Sequence, residues 1–244
     1  MSSAALAGAD PDLASRVAQI AWPEAQLELD ARGFASIGLL LSRRECRELE
    51  ALYGEPLFRS TVVMQQHGYG RGEYRYFADP LPPLVEGLRR ELYPHLVPIA
   101  NDWEQRLNTG RQFPASLGEL RAQCRELGQL RPTPLLLRYG PEDYNCLHQD
   151  LYGELVFPLQ LCVLLSEPGT EFEGGEFLMT EQRPRMQSRG EVVPLQQGGA
   201  VVFATRHRPV QGTRGSYRTN LKHGVSRIRS GKRLTLGIIF HDAT

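Results

Sequence analysis

The sequence predicts an α+β chain in which a helical N-terminal layer packs on a mainly β core. Three observations carry that expectation. Apolar residues recur at helical steps of three and four up to about residue 130, then give way to short apolar runs. Those runs number eight and are separated by Gly/Pro turns, the pattern of a barrel or sandwich. A chain of 244 residues can bury one sizeable core. Residues 1–130, helical, and 131–244, mainly β, are therefore expected to fold together as one domain.

Met1 to Asp12 is small and polar with no basic segment, so it reads as a frayed end and not as a secretory signal. Pro11 to Ile20 reads as a first helix, with Asp10 as its N-cap and a proline at the first helical position. Gly33 to Ile37 reads as a short strand. Ser42 and Glu45 form a capping-box signature, with Leu41 and Cys46 placed as its hydrophobic staple, and the helix should run to about Tyr53. Phe58 to Asp79 is irregular, aromatic and punctuated by glycine. It reads as a loop or loose hairpin serving as a lid or substrate wall. Leu84, Leu88, Leu92, Leu96, Ile99, Trp103 and Leu107 form an amphipathic stripe that Pro94 and Pro98 should kink or break. Ser116 with Glu119 opens a further helix ending near Gly128. Strands are then expected at Pro134–Tyr139, Cys146–Leu151, Leu159–Leu165, Glu176–Thr180, Glu191–Leu195, Ala200–Ala204, Lys222–Ile228 and Arg233–His241.

Composition excludes several classes. No apolar run is long enough to cross a membrane as a helix. Cys46, Cys124, Cys146 and Cys162 are widely spaced, which argues against a zinc site or disulfide framework and fits a reducing cytoplasm. Net charge is zero but unevenly spread: Arg183 to Arg233 holds twelve basic residues and one acid, Glu191. That asymmetry points to an anionic partner at one surface.

The stretch Leu147-His148-Gln149-Asp150 concentrates the chemistry. In an extended strand His148 and Asp150 face the same way, two-thirds of the 2-His-1-carboxylate triad that holds Fe(II) on one face. Cys146 shares that parity, which would set it near the metal, although a small buried hydrophobe is the commoner role of such a cysteine. The second histidine must come from a distant strand. His223 and His207 are both followed by an arginine at similar spacing, Arg233 and Arg218. Two flanking arginines oppose cation binding at His207, and Pro209 disfavours regular strand pairing there. His207 thus reads as a loop or substrate-contact residue. His241 follows the arginine and reads as a terminal strand residue.

The order His148-x-Asp150, His223, Arg233 resembles the Fe(II)- and 2-oxoglutarate-dependent oxygenase superfamily, whose core is a double-stranded β-helix (jelly roll). Arg138-Tyr139-Gly140-Pro141 and Tyr144 resemble prolyl-4-hydroxylase-like members. Glu173-Gly174-Gly175-Glu176 and Gly198-Gly199-Ala200-Val201-Val202-Phe203 match in the middle, and the resemblance spans roughly residues 130–242. It implies that His148, Asp150 and His223 ligate iron and form the catalytic centre. 2-Oxoglutarate would take two further positions and O₂ one. Arg233 would pair with the co-substrate's distal carboxylate, helped by a phenol from Tyr139 or Tyr144 and by Thr235 on the same strand face. Tyr217 to Arg227 and Phe203 to Val210 resemble a bacterial family of nucleic-acid-modifying 2-oxoglutarate oxygenases.

Three functions compete at this point. An oxygenase acting on a nucleic-acid base, by hydroxylation or oxidative demethylation, would use the basic C-terminal segment as its substrate surface. Arg206, His207, Arg214 and Arg218 would contact substrate there, and Tyr152, Phe177 or Tyr217 would stack an extruded base. A protein (prolyl-type) or small-molecule hydroxylase would use the same core. A non-catalytic jelly-roll binding module is the third, and the intact triad and arginine speak against it.

Overall fold

The computed structural model describes residues 12–244. Asp10 and Pro11, with all of the expected frayed end except Asp12, lie outside the described residues. Helix α1 (Leu13–Ala18) is capped by Asp12, whose carboxylate accepts from the Ser15 backbone N–H at 2.7 Å. A second helix, α2 (Trp22–Arg32), stops at Gly33 in the left-handed conformation, φ 81°. The sequence reading missed α2 because its buried contribution is only Ala25 and Leu29, too thin a stripe to stand out.

Strand β1 (Phe34–Leu39) leads into α3 (Arg43–Ala51), where the Ser42/Glu45 capping box forms in both directions. Both staple residues, Leu41 and Cys46, are buried beneath it. The irregular region from residue 58 to 79 is ordered: β2 (Phe58–Val63) and β4 (Glu73–Phe77) pair as a hairpin, with β3 (Gly70–Arg71) between them. Helix α4 (Pro83–Arg106) runs continuously through Pro94 and Pro98, so of the expected kink or break the break does not occur. Both prolines face solvent, so the Arg90 and Pro94 carbonyls deprived of a helical donor lie on the wet side. The buried face of Leu88, Leu92, Leu96, Ala100 and Trp103 holds the helix against the core. Arg89, fully buried, ties α4 to the C-terminal segment through the Phe240 carbonyl and the Asp242 carboxylate. Helix α5 (Leu117–Glu126) begins at the second capping box, as the sequence predicts.

The remaining strands are β5 (Leu135–Tyr139), β6 (Tyr144–His148), β7 (Leu159–Leu164), β8 (Phe172–Gly174), β9 (Phe177–Gln182) and β10 (Arg189–Val193). They continue with β11 (Gly199–Ala204), β12 (His207–Gly212), β13 (Gly215–Val225), β14 (Ile228–Gly231) and β15 (Arg233–Ile239). The larger sheet has the order β1-β11-β7-β15-β5-β4-β2, so three N-terminal strands complete it. The smaller has the order β10-β9-β13-β6-β3, with β12 paired to β13, and β14 pairs with β8 apart from both.

The two sheets face each other around one cavity, a β-rich arrangement resembling the double-stranded β-helix. Strand β15 explains how one segment serves both surfaces. All seven of its residues are buried. Leu234, Leu236 and Ile238 join the main core, while Arg233, Thr235, Gly237 and Ile239 line the cavity.

Candidate metal centre

His148 is the last residue of β6, and its cross-strand partner on β13 is His223. Asp150 lies two residues beyond β6, in the connection and not on the strand itself, yet it turns back to both rings. Its Oδ1 is 3.5 Å from His148 Nε2 and its Oδ2 is 3.2 Å from His223 Nε2. The three side chains offer ligand atoms all within 4.8 Å of one another. A carbonyl can only accept, so the His148 Nδ1–H donates to the Cys146 carbonyl at 2.8 Å, which turns Nε2 toward Asp150 and the shared ligand site. The Tyr152 hydroxyl donates to Asp150 Oδ1 at 2.6 Å. Phe177 and Phe203 wall His223 from the protein side.

The electrostatics suit a cation. Burial opposes ionisation of Asp150, but the two imidazoles beside it outweigh burial and hold its carboxyl well below the usual range. Burial and the neighbouring His148 push His223 down, keeping it neutral, the form that ligates a metal. His148 is raised: burial lowers it, and the bonds to Asp150 prevail.

The same cavity, about 450 Å³, holds a buried cation without a partner. Arg233 is 1% exposed, and its Nε and Nη1 have no hydrogen-bond acceptor. Burial pushes its pKa down, as expected for a charge lacking a counter-ion. Gly175 makes room for it: at φ 64° a Cβ would lie 2.2 Å from Ile228 Cδ1 and 2.8 Å from Arg233 Cδ. Tyr139 is the register partner of Arg233 on β5, its ring centroid 5.6 Å from the guanidinium, and burial keeps its phenol protonated. Thr235 lies two residues along the same face.

The structure separates the remaining sequence-derived residues. Tyr144 is 38% exposed and outside the cavity, so of the two tyrosines Tyr139 alone stands beside Arg233. Cys146 is exposed at the cavity edge, not a buried hydrophobe, because strand β6 presents that face to the opening. Tyr152 lines the cavity but spends its hydroxyl on Asp150. Phe177 lines the cavity, and Tyr217 does not. His207 lies on a strand after all: β12 pairs only with β13, an edge position where Pro209 forfeits no ladder bond. Arg206, His207 and Arg218 border a second cavity, while Arg214 sits at the β12–β13 turn outside both.

Part of the basic segment is paired internally, five arginines sharing three carboxylates. Arg183, Arg189 and Arg208 converge on Glu181 at 3.1, 3.1 and 2.6 Å. Arg227 pairs with Glu142, and Arg229 with Glu176. Asn145 and Gln160, which the sequence reading passed over, also line the metal cavity, together with Tyr74 from the stretch expected to form a lid or substrate wall. Asn145 donates to the Tyr139 hydroxyl at 3.3 Å, and Gln160 Nε2 is buried without a partner. Only alternation along β7 relative to Cys162 could have flagged Gln160.

A family model described as an oxygenase catalysing oxidative methylation of damaged DNA matches residues 72–243. The chain belongs to that family. Two uncharacterized proteins from Mycobacterium tuberculosis strains are 52% identical to it over 167 residues, 68% of this chain and 72% of theirs. Among solved structures, a prolyl 4-hydroxylase from Phytophthora capsici superposes with TM-score 0.55 at 15% identity, covering 97% of this chain and 68% of that one. A 2OG-Fe(II) family oxidoreductase from Burkholderia pseudomallei gives 0.51 at 15% identity, covering 97% and 95%. At such identity these two likenesses concern the fold alone. With the family match and the triad, they make this chain an enzyme of the Fe(II)/2-oxoglutarate-dependent oxygenase class. No helix among the described residues is long and apolar enough to cross a membrane.

Proposed function

We propose that His148, Asp150 and His223 hold Fe(II), and that Arg233, with Tyr139 and Thr235 beside it, anchors the distal carboxylate of 2-oxoglutarate. The observation that carries this reading is that an unpartnered, buried guanidinium shares one cavity with a metal-ready triad. The donor set fits the groups: three ligands on one face leave room for a chelating keto acid and O₂, and the vacant Arg233 nitrogens match a carboxylate. Iron, 2-oxoglutarate and O₂ together supply the oxidising equivalent that hydroxylates a substrate C–H bond. The chain's own residues do the rest. His148 is fixed by the Cys146 carbonyl, Asp150 by Tyr152, and His223 by the packed rings of Phe177 and Phe203.

For the substrate, we propose a nucleic-acid base, hydroxylated or oxidatively demethylated. The family description supports this reading, as do the cavity's aromatic walls, Tyr69, Tyr74 and Phe177, against which a flat base can lie. Hydroxylation of a protein side chain or small molecule is the second reading, and it has its own support. Prolyl hydroxylases recur among the fold relatives, and the pairing of five arginines with carboxylates thins the anion-attracting surface. The test is substrate-stimulated succinate formation across methylated oligonucleotides, peptides and metabolites. Stimulation by oligonucleotides alone supports the first reading, and stimulation by peptides or metabolites alone replaces it with the second.

A further inference from the structure

The second cavity, about 440 Å³, adjoins the metal centre through the connection after β6. Leu151, next in sequence to Asp150, lies in the wall of both cavities. On one side stand Arg206, His207 and Arg218, brought together by the β12·β13 ladder, in which His207 pairs with Asn220 and Pro209 with Arg218. Arg111 contributes from the segment after α4. Unlike the arginines gathered on Glu181, Arg111, Arg206 and Arg218 have no carboxylate within ion-pair distance among the described residues. His207 Nδ1 is buried with no partner, and burial together with the two guanidinium groups keeps the ring neutral.

Two acids, Glu104 and Glu154, also line this cavity, from α4 and from the connection. Glu104 already accepts the Thr109 hydroxyl. Three guanidinium groups against two carboxylates leave the lining with a single positive charge. That balance suits the single negative charge of a phosphodiester better than the double charge of a phosphate monoester. The Gln149 amide donates to the Leu221 carbonyl at 2.7 Å, pinning the wall between the cavities to β13.

We propose that this second cavity is a phosphodiester subsite, in which Arg206 and Arg218 grip a backbone phosphate of the strand whose base enters the metal cavity. This inference rests on the nucleic-acid reading above. It makes Arg206 and Arg218 binding residues and removes Arg214, at the hairpin turn, from that role.

The test is fluorescence anisotropy of a fluorescein-labelled single-stranded oligodeoxynucleotide across a salt series, with the full chain as wild type, Arg206→Ala/Arg218→Ala and Arg214→Ala. The double variant should bind roughly tenfold more weakly. Its slope of log affinity against log salt should be shallower by about 0.7, one phosphate contact. Arg214→Ala should follow the wild type, and unfolding midpoints should confirm that both variants remain folded. Wild-type binding unaltered in the double variant overturns the subsite and leaves the nucleic-acid reading standing. Equal damage from Arg214→Ala overturns the cavity assignment in favour of diffuse surface charge. Displacement by inorganic phosphate at the same concentrations as by unlabelled oligonucleotide overturns the diester preference. Binding to phosphatidylglycerol vesicles but not to the oligonucleotide, or no oligonucleotide binding even at low salt, removes the subsite and the nucleic-acid reading together.

Discussion

His148 and His223 are directly opposed across the β6·β13 ladder, ring centroids 4.2 Å apart, with Asp150 within 3.5 Å of both. A cross-strand pair is the shortest route by which residues 75 positions apart can share one ligand. It also makes the two histidines interdependent. His223→Ala should abolish metal binding and 2-oxoglutarate turnover while the far-UV spectrum stays native, and His148→Ala and Asp150→Ala should do the same. Metal binding should persist in His207→Ala. Loss there, with retention in His223→Ala, would reassign the ligand.

Arg233→Ala should raise the 2-oxoglutarate requirement about a hundredfold or more, because a buried carboxylate would be left without its cation. Lys232 is exposed in the turn between β14 and β15, and Lys232→Ala should leave the requirement near wild type. Gly175→Ala should mimic a weaker Arg233→Ala by displacing the guanidinium stem. A co-substrate titration of each variant decides. Sensitivity at Lys232 with none at Arg233 would place the anchor elsewhere.

Tyr152→Phe removes the hydroxyl that holds Asp150 Oδ1 but keeps the ring. Metal affinity should fall about 10- to 100-fold, the range for outer partners of a ligating carboxylate. Unchanged affinity for Co(II), followed by calorimetry, would return Tyr152 to a purely substrate-facing role.

His241 is buried and neutral, accepting from the Phe157 N–H at 3.2 Å, and burial pushes its pKa down to about 3. In the unfolded chain it titrates near 6.5. Below that pH the unfolded state therefore takes up a proton that the folded state refuses, and stability falls until about pH 3. His241→Asn keeps an acceptor but cannot titrate, so the metal-free variant should lose less stability between pH 6.5 and 3 than wild type. Denaturant midpoints across that range, identical in shape for both proteins, would contradict this assignment.

The capping boxes at Ser42 and Ser116, the strand-like change of period after Gly128 and the His148/Asp150 pair could be read in the sequence because each is written in local spacing, whereas His223 rested on the order of motifs in the resemblance. What could not be read depends on contacts between distant segments. The stretch from Phe58, read as a loop or a loose hairpin, is a hairpin built into the larger sheet because β4 finds an edge on β5. Pro94 and Pro98 left α4 intact because both prolines face water. Tyr139 and Tyr144 were indistinguishable by spacing, and only the register of β5 against β15 puts Tyr139 beside Arg233. The basic tract looked like a surface, but three of its arginines turn inward to share the one carboxylate of Glu181.

The central claim is that one cavity holds Fe(II) on His148, Asp150 and His223 and 2-oxoglutarate on Arg233 at the same time. It is tested most directly by titrating 2-oxoglutarate anaerobically into the Fe(II)-loaded protein and following the visible metal-to-ligand charge-transfer band of the keto-acid chelate. The expected result is a saturable band in wild type, its absence in His223→Ala, and a much higher half-saturation in Arg233→Ala. No band in wild type, or an undiminished band in His223→Ala, would contradict the account.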